Sequence, residues 1–197
     1  MSESWSLLRK KIHDAIIIMK HKILSFGYFC FAITVMLFNS SCYNYAKPEI
    51  FLVPKGFNGR LEVVFNQKNG TPVKYENEQR IYQIPNDGIL LTQFSDDYGI
   101  INHKFYYVDS IGNRTPIPIF AEEHNPDGTT KWLFKDENEI GVFLDGTTGQ
   151  HAEGNKAPFL MVVISNYKTM DSFFTKEYKT KFEERLKERT GLNISIP

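Results

Sequence analysis

The sequence predicts a mainly β (α+β) chain: an antiparallel β-sandwich of about seven to nine short strands with one C-terminal amphipathic helix packed on it. Three observations carry this. Short apolar-rich runs recur from Glu49 to Phe120, each bounded by Gly, Asn, Asp or Pro. A continuous apolar run, Phe159-Leu160-Met161-Val162-Val163-Ile164, follows Pro158 and suits a strand buried on both faces. Finally, Met170, Phe174, Tyr178, Phe182 and Leu186 fall at i, i+4 spacing among lysines, glutamates and arginines, which predicts a helix over about 169–190.

In chain order, residues 1–18 read as a leader outside the true chain, which we take to start at Met19. Met19 to Ser41 then has the parts of an export signal. A basic head (Lys20, His21, Lys22) precedes an uncharged apolar run from Ile23 to Phe38, and the small or polar Asn39, Ser40 and Ser41 lead into Cys42. The cationic head stays on the cytoplasmic side while the apolar run partitions into the bilayer. Small side chains before the cysteine let a peptidase reach the backbone. The pattern resembles the lipobox of bacterial lipoproteins, with cleavage after Ser41 and lipidation on the thiol of Cys42, although Asn39 stands where those boxes usually carry leucine. Palmitate-type acyl chains on Cys42 would hold the protein to a bacterial cell envelope membrane. The alternative is an uncleaved signal anchor, since nothing charged occurs between Ile23 and Ala46 and that span is long enough for a hydrocarbon core of about 30 Å. Residues 42–48 read as a short tether holding the domain off the membrane, and 49–197 as a single domain.

The 197 residues contain two cysteines, Cys30 in the apolar run and Cys42 at the proposed cleavage site. A chain starting at Cys42 would have no thiol except the acylated one, which excludes cysteine catalysis, zinc–thiolate sites and iron–sulfur clusters. The 23 basic residues balance 23 acidic ones, so no electrostatic partner dominates and nucleic acid is not expected as a ligand.

The strands follow from pattern and punctuation. The runs are Glu49–Val53, Arg60–Asn66, Arg80–Pro85, Gly88–Phe94, His103–Asp109 and Thr115–Phe120, then Lys131–Lys135 and Glu139–Leu144. Leu61, Val63 and Phe65 alternate with Arg60, Glu62, Val64 and Asn66, so one face of that strand should enter the core and the other be partly wet. Asn69-Gly70, Asn86-Asp87-Gly88 and Ser110-Ile111-Gly112-Asn113 supply turns, as do Asn125-Pro126-Asp127-Gly128 and Asp145-Gly146-Thr147-Thr148-Gly149. Thr169 or Asp171 is placed to cap the helix start and Gly191 its end.

Three stretches carry a family resemblance. Phe51-Leu52-Val53-Pro54-Lys55-Gly56-Phe57-Asn58-Gly59 is followed by Ile81-Tyr82-Gln83-Ile84-Pro85-Asn86-Asp87-Gly88-Ile89-Leu90 and by the tyrosine-rich Phe105-Tyr106-Tyr107. Together they resemble an uncharacterised family of domains in bacterial envelope lipoproteins, over about Glu49 to Phe120. The shared motifs are turn and strand chemistry, so the resemblance implies a fold and brings no catalytic residues, cofactor or partner.

Candidate sites therefore rest on side-chain chemistry. Glu122, Glu123, His124 and Asp127, with His151 further on, could form a ligand loop, although a polar loop before a turn is the simpler and favoured reading of the first four. His151-Ala152-Glu153 matches the H-x-E of zinc deaminases without the cysteines that complete their metal shell. Asp136-Glu137-Asn138-Glu139 lacks the glycine and distal glutamate of a calcium loop. No G-x-S-x-G elbow or phosphate-binding glycine loop occurs, and His103, His124 and His151 are the histidines left beyond the signal. No catalytic residue, metal or cofactor is assigned. The expected function is a non-catalytic envelope module binding a protein or glycan, with Tyr98, Tyr106 or Trp132 as anchors. A periplasmic metal- or small-ligand-binding protein is the alternative, and a hydrolase stands behind both.

Overall fold

The computed structural model describes Met19, residues 46–151 and residues 157–191, with the side chain of His151 left aside. The leader, Ser41, Cys42 and Glu153 lie outside the described residues. The chain divides into two units, Met1–Tyr43 and Asn44–Pro197, and the strands and helices described here belong to the second.

Eleven strands form. They are β1 (Glu49–Pro54), β2 (Gly59–Val64), β3 (Tyr75–Glu76), β4 (Gln79–Gln83), β5 (Ile89–Leu91), β6 (His103–Val108), β7 (Arg114–Ile117), β8 (Ala121–His124), β9 (Thr130–Leu133), β10 (Gly141–His151) and β11 (Ala157–Ser165). A five-stranded sheet runs β3-β4-β1-β6-β7, a four-stranded sheet runs β10-β11-β2-β5, and β8-β9 is a separate hairpin. The mainly-β class with a C-terminal helix is thus observed. The number of strands exceeds the expectation because β3 and β8 have no apolar run, and the polar stretch expected as a loop at Glu122–His124 is the strand β8.

Strand direction also differs. β1 pairs in parallel with both β4 and β6, and β2 pairs in parallel with β5, so the sandwich is mixed rather than antiparallel. The reason is connectivity. The turn after Pro54 sends the chain from the first sheet to the second, where Phe57 N–H donates to Pro54 O at 3.0 Å, and the turn closed by Gly88 N–H to Pro85 O sends it across again. Strands that meet in one sheet are then separated by a crossing through the other, which permits parallel neighbours. Ser110–Asn113, by contrast, closes the β6–β7 hairpin as its turn residues require.

The two large sheets enclose the main core. Phe51, Val53, Tyr82, Ile84 and Phe105 point into it from one side and Leu61, Val63, Leu160, Val162 and Ile164 from the other. Phe51 stacks on Tyr82 and Phe105, with ring centroids 4.9 and 4.5 Å away, so three neighbouring strands present one aromatic row. Every residue of β11 is buried, because its outer face is covered as well.

Phe120, Trp132 and Phe134 supply part of that cover and the C-terminal helical segments supply the rest. Asn166 caps a short helix α1 (Tyr167–Met170), a 3₁₀ turn spans Asp171–Phe174, and α2 (Lys176–Thr190) follows. The single helix expected over 169–190 is interrupted at Thr175, which turns extended and caps α2 by accepting from Tyr178 N–H at 3.3 Å. Gly191 ends α2 in the left-handed conformation, as its position suggests. Phe182 and Leu186 pack on Val64, Ile89 and Ala157. The face of β2 expected to be wet is consequently dry: Arg60 and Glu62 are buried beneath α2 and bridge at 3.1 Å, with the Arg60 guanidinium 5.0 Å from the Phe182 ring. The 145–149 stretch likewise makes no hairpin. It is a bulge inside β10, where the register against β11 slips between Phe143 and Thr147 and Leu144 takes φ 59°.

Candidate functional site

The parallel pairings of β1 assemble a buried polar cluster. Glu49, the first residue of β1, is in register with Arg80 of β4 on one side and His103 of β6 on the other, and Tyr82 lies two residues along on the same face as Arg80. The β10 bulge adds Asp145 from the opposite sheet, and the β5–β6 loop adds Asp97.

All four principal side chains are buried. His103 Nε2 meets Glu49 Oε2 at 3.0 Å, and His103 Nδ1 meets Asp145 Oδ1 at 2.6 Å. Glu49 Oε1 accepts from Tyr82 O–H at 2.7 Å and from the Arg80 guanidinium at 3.4 Å. Arg80 also donates to Ser95 O at 2.7 Å and faces Asp97 at 3.4 Å, with its guanidinium 5.0 Å from the Phe94 ring. Burial pushes the His103 pKa down, yet the hydrogen bonds and charges of Asp145 and Glu49 outweigh it and hold the imidazole at about 9. Burial, then the Glu49 charge and hydrogen bond, push the Tyr82 phenol far up, so it stays protonated and donates.

This arrangement defines what the cluster can do. At neutral pH His103 is an imidazolium donating from both nitrogens, so it offers no lone pair to take a proton from a substrate. Its two carboxylates are engaged by it. The cluster is an ion network that ties β1, β4, β6 and β10 together.

Two cavities adjoin it. One, of about 280 Å³, is lined by Ile101, Ile119, Trp132, Leu144, Glu122 and Asp145 among others. A smaller one, of about 30 Å³, runs between Tyr98, Ile101, Asp97 and His103. Ile101 and the Asp145 bulge divide the two.

The first four residues of the expected ligand loop fall on the β8–β9 hairpin and its turn. Glu122, Glu123 and His124 sit on β8 opposite Trp132, Lys131 and Thr130 of β9. His124 is largely exposed, with Nδ1 3.2 Å from Thr130 Oγ1 and Nε2 3.5 Å from Glu122. Asp127 accepts from Thr129 N–H at 2.9 Å and Thr129 O–H at 2.6 Å, which holds its carboxyl below the usual range and uses it inside the turn. Of the five, Glu122 alone borders a cavity among the described side chains. Among the described residues no group of three His, Cys, Asp or Glu could hold a metal ion. Of the expected aromatic anchors, Tyr98 is exposed, whereas Tyr106 and Trp132 are half-buried, Trp132 edge-on to Phe143 at 4.9 Å.

Sequence reasoning did not find Glu49, Arg80, His103 and Asp145 as a set. Each stands alone in its own run, and what unites them is strand register across parallel neighbours and a bulge. The one signal was a charged residue opening each of three apolar strands.

The model of the Family of unknown function (DUF6843) matches residues 45–173. The chain belongs to that family. The segments that carried the resemblance lie inside the match, and in this chain 51–59 and 81–90 each lead from the first sheet to the second and pack together: the Phe57 ring would meet a Cβ added at Gly88 at 2.8 Å. A crystal structure of a Bacillus anthracis protein described as a candidate lipoprotein is also similar, at 19% identity, with 74% of this chain and 97% of that chain covered and a TM-score of 0.49. No curated protein matches the chain.

Proposed function

We propose that this member of the family is an envelope lipoprotein, lipidated on Cys42 after cleavage at Ser41, whose domain binds a protein or glycan partner and performs no chemistry. The observation that carries the anchoring is the run from Lys20 to Cys42, a basic head, an apolar span and small residues ending on a cysteine. What supports binding over catalysis is His103, the buried histidine beside the cavities, clamped at both nitrogens and charged. Intact-mass analysis of protein extracted from membranes of its native host tests the anchor. The expected chain begins at Cys42 and carries acyl mass that Cys42→Ala loses; an unmodified chain retaining residues 23–41 would sink lipidation and leave the signal anchor.

The cavity bordered by Glu122 and Asp145 favours a second reading, a small-ligand-binding domain. Its ligand would pair an apolar body with a cationic group, to match Ile101, Ile119 and Leu144 on one side and the carboxylates on the other. A thermal-shift series of alkyl and aryl amines decides it: a concentration-dependent rise in Tm supports this reading, and a flat series across the set rejects it.

A further inference from the structure

We infer that the apolar surface around Ile100 and Ile101 rests on the lipid bilayer, so that the domain is held on the membrane in one orientation. The inference rests on the membrane-anchoring reading above, and it holds for either form of anchor. The chain enters the domain along this surface: Ala46 N–H donates to Ile100 O at 3.1 Å, Lys47 N–H to Asp97 Oδ2 at 3.2 Å and Glu49 N–H to Asn102 O at 3.1 Å. Ala46 is buried there, so 46–48 belong to the domain and lengthen no tether. Four residue steps separate Cys42 from Ala46, a reach of at most about 14 Å for a fully extended chain. The headgroup layer itself is about 5–7 Å deep on each side, so whatever surrounds Ala46 is brought to the membrane by the anchor alone.

What surrounds it is apolar. Tyr98 (53% exposed), Ile100 (46%), Ile101 (44%) and Ile119 (43%) are large side chains open to solvent beside this point. Ile101 and Ile119 line the larger cavity together, and Tyr98 and Ile101 line the smaller, which makes them one surface. Tyr98 has an apolar body and a hydroxyl hydrogen-bonded to Asp96, and an amphipathic ring of this kind suits the headgroup level. The anchor raises the local concentration of lipid, so a patch too small to bind membranes unaided still sets orientation. The neighbouring charges are the exposed Lys47 and a larger set of acidic groups that are engaged: Asp97 by Arg80, Asp145 by His103, Glu122 by His124, and Asp96 by Asn66. Neutral lipid is therefore the matching surface, and anionic lipid should not strengthen the contact.

The opposite end of the same strands supplies a control. β1 and β6 run in parallel away from Glu49 and His103, and the turn after Val108 carries Ile111, the most exposed large apolar residue described (82%). The full chain with Cys30→Ser is prepared with one further substitution, Ile101→Cys, Ile119→Cys or Ile111→Cys. Each is labelled with a fluorophore and reconstituted in phosphatidylcholine vesicles containing headgroup-nitroxide lipid. Quenching several-fold stronger at 101 and 119 than at 111 is expected. Equal quenching at the three positions, or stronger quenching at 111, overturns the inference. Absent quenching at all three in a chain that sediments as a dimer would assign the patch to a second copy and also overturn it. The mass of the same samples reports the anchor separately: quenching at 101 and 119 beyond that of the Cys30→Ser chain labelled on a free Cys42 alone, with no acyl group on Cys42, keeps the membrane face and rejects the lipid, because the apolar span 23–38 then tethers the domain.

Discussion

A histidine between two buried carboxylates ties stability to pH in a definite direction. His103 titrates near 6.5 in an unfolded chain and at about 9 here, so the folded state binds its proton more tightly. Its contribution is complete below about pH 6.5 and is lost as pH rises through about 9. We expect folding stability to fall by at most about 3 kcal/mol between those limits, read as a declining urea midpoint, and the decline to vanish in His103→Gln. A wild-type midpoint that stays level from pH 7 to 10 would show that the imidazole is neutral in the fold. Gly88 makes a second residue-scale case. It lies at φ 79°, and an added Cβ would meet Arg60 O at 2.4 Å as well as the Phe57 ring. Gly88→Ala is therefore expected to cost about 2–4 kcal/mol, combining the left-handed backbone with overpacking against a carbonyl that cannot yield. Chemical denaturation measures it, and a loss below about 1 kcal/mol would mean that the crossing relaxes freely.

At the scale of elements, α2 and β2 show what pattern reading captures and where it stops. The stripe Met170, Phe174, Tyr178, Phe182, Leu186 identified a helix packed on a sheet, and Phe182 and Leu186 are indeed buried at its contact. The same logic gave Arg60 and Glu62 a wet face, because alternation reports which side chains differ and says nothing of a helix arriving from far along the chain. The pair is dry and bridged, and Tyr178 O–H accepts from Arg60 N–H at 3.2 Å. Buried pairs respond asymmetrically to substitution. Glu62→Gln leaves the guanidinium without its counter-charge and should cost about 3–5 kcal/mol, whereas the double substitution Arg60→Met, Glu62→Leu should be near neutral or stabilising. Thermal unfolding of the three proteins checks this, and a double variant as unstable as the single one would show that the pair fixes the seat of α2. Candidate sites were legible to a similar degree. Asp127 and its neighbours were visible as turn chemistry, and Asp127 is spent in the turn. The Glu49–His103–Asp145 cluster was invisible, because parallel register and a bulge bring together residues that no local spacing relates.

For the whole domain, the strands were largely readable from their apolar runs while their order and direction were not. Turn signals mark where a strand ends, and Asn86-Asp87-Gly88 does end β4, but a turn cannot say whether the chain pairs back or crosses to the facing sheet. The resulting architecture grades stability from the middle outward. β11 is buried along its full length, with β10 and β2 on its edges and Met170, Phe173, Phe174 and Phe120 over its outer face, so its amides open only when the whole domain unfolds. The β8–β9 hairpin pairs only with itself, and all but one of its strand residues are exposed, Trp132 being half-buried against Phe143. Hydrogen exchange should therefore separate them widely: 159–164 slowest in the molecule, 121–133 exchanging orders of magnitude faster, at rates that do not track global stability. Protection of 121–133 equal to that of β11 would mean that the hairpin unfolds with the core. Because the larger cavity lies between this hairpin and the rigid second sheet, the same measurement gauges how freely its Glu122 and Trp132 wall can move toward a ligand.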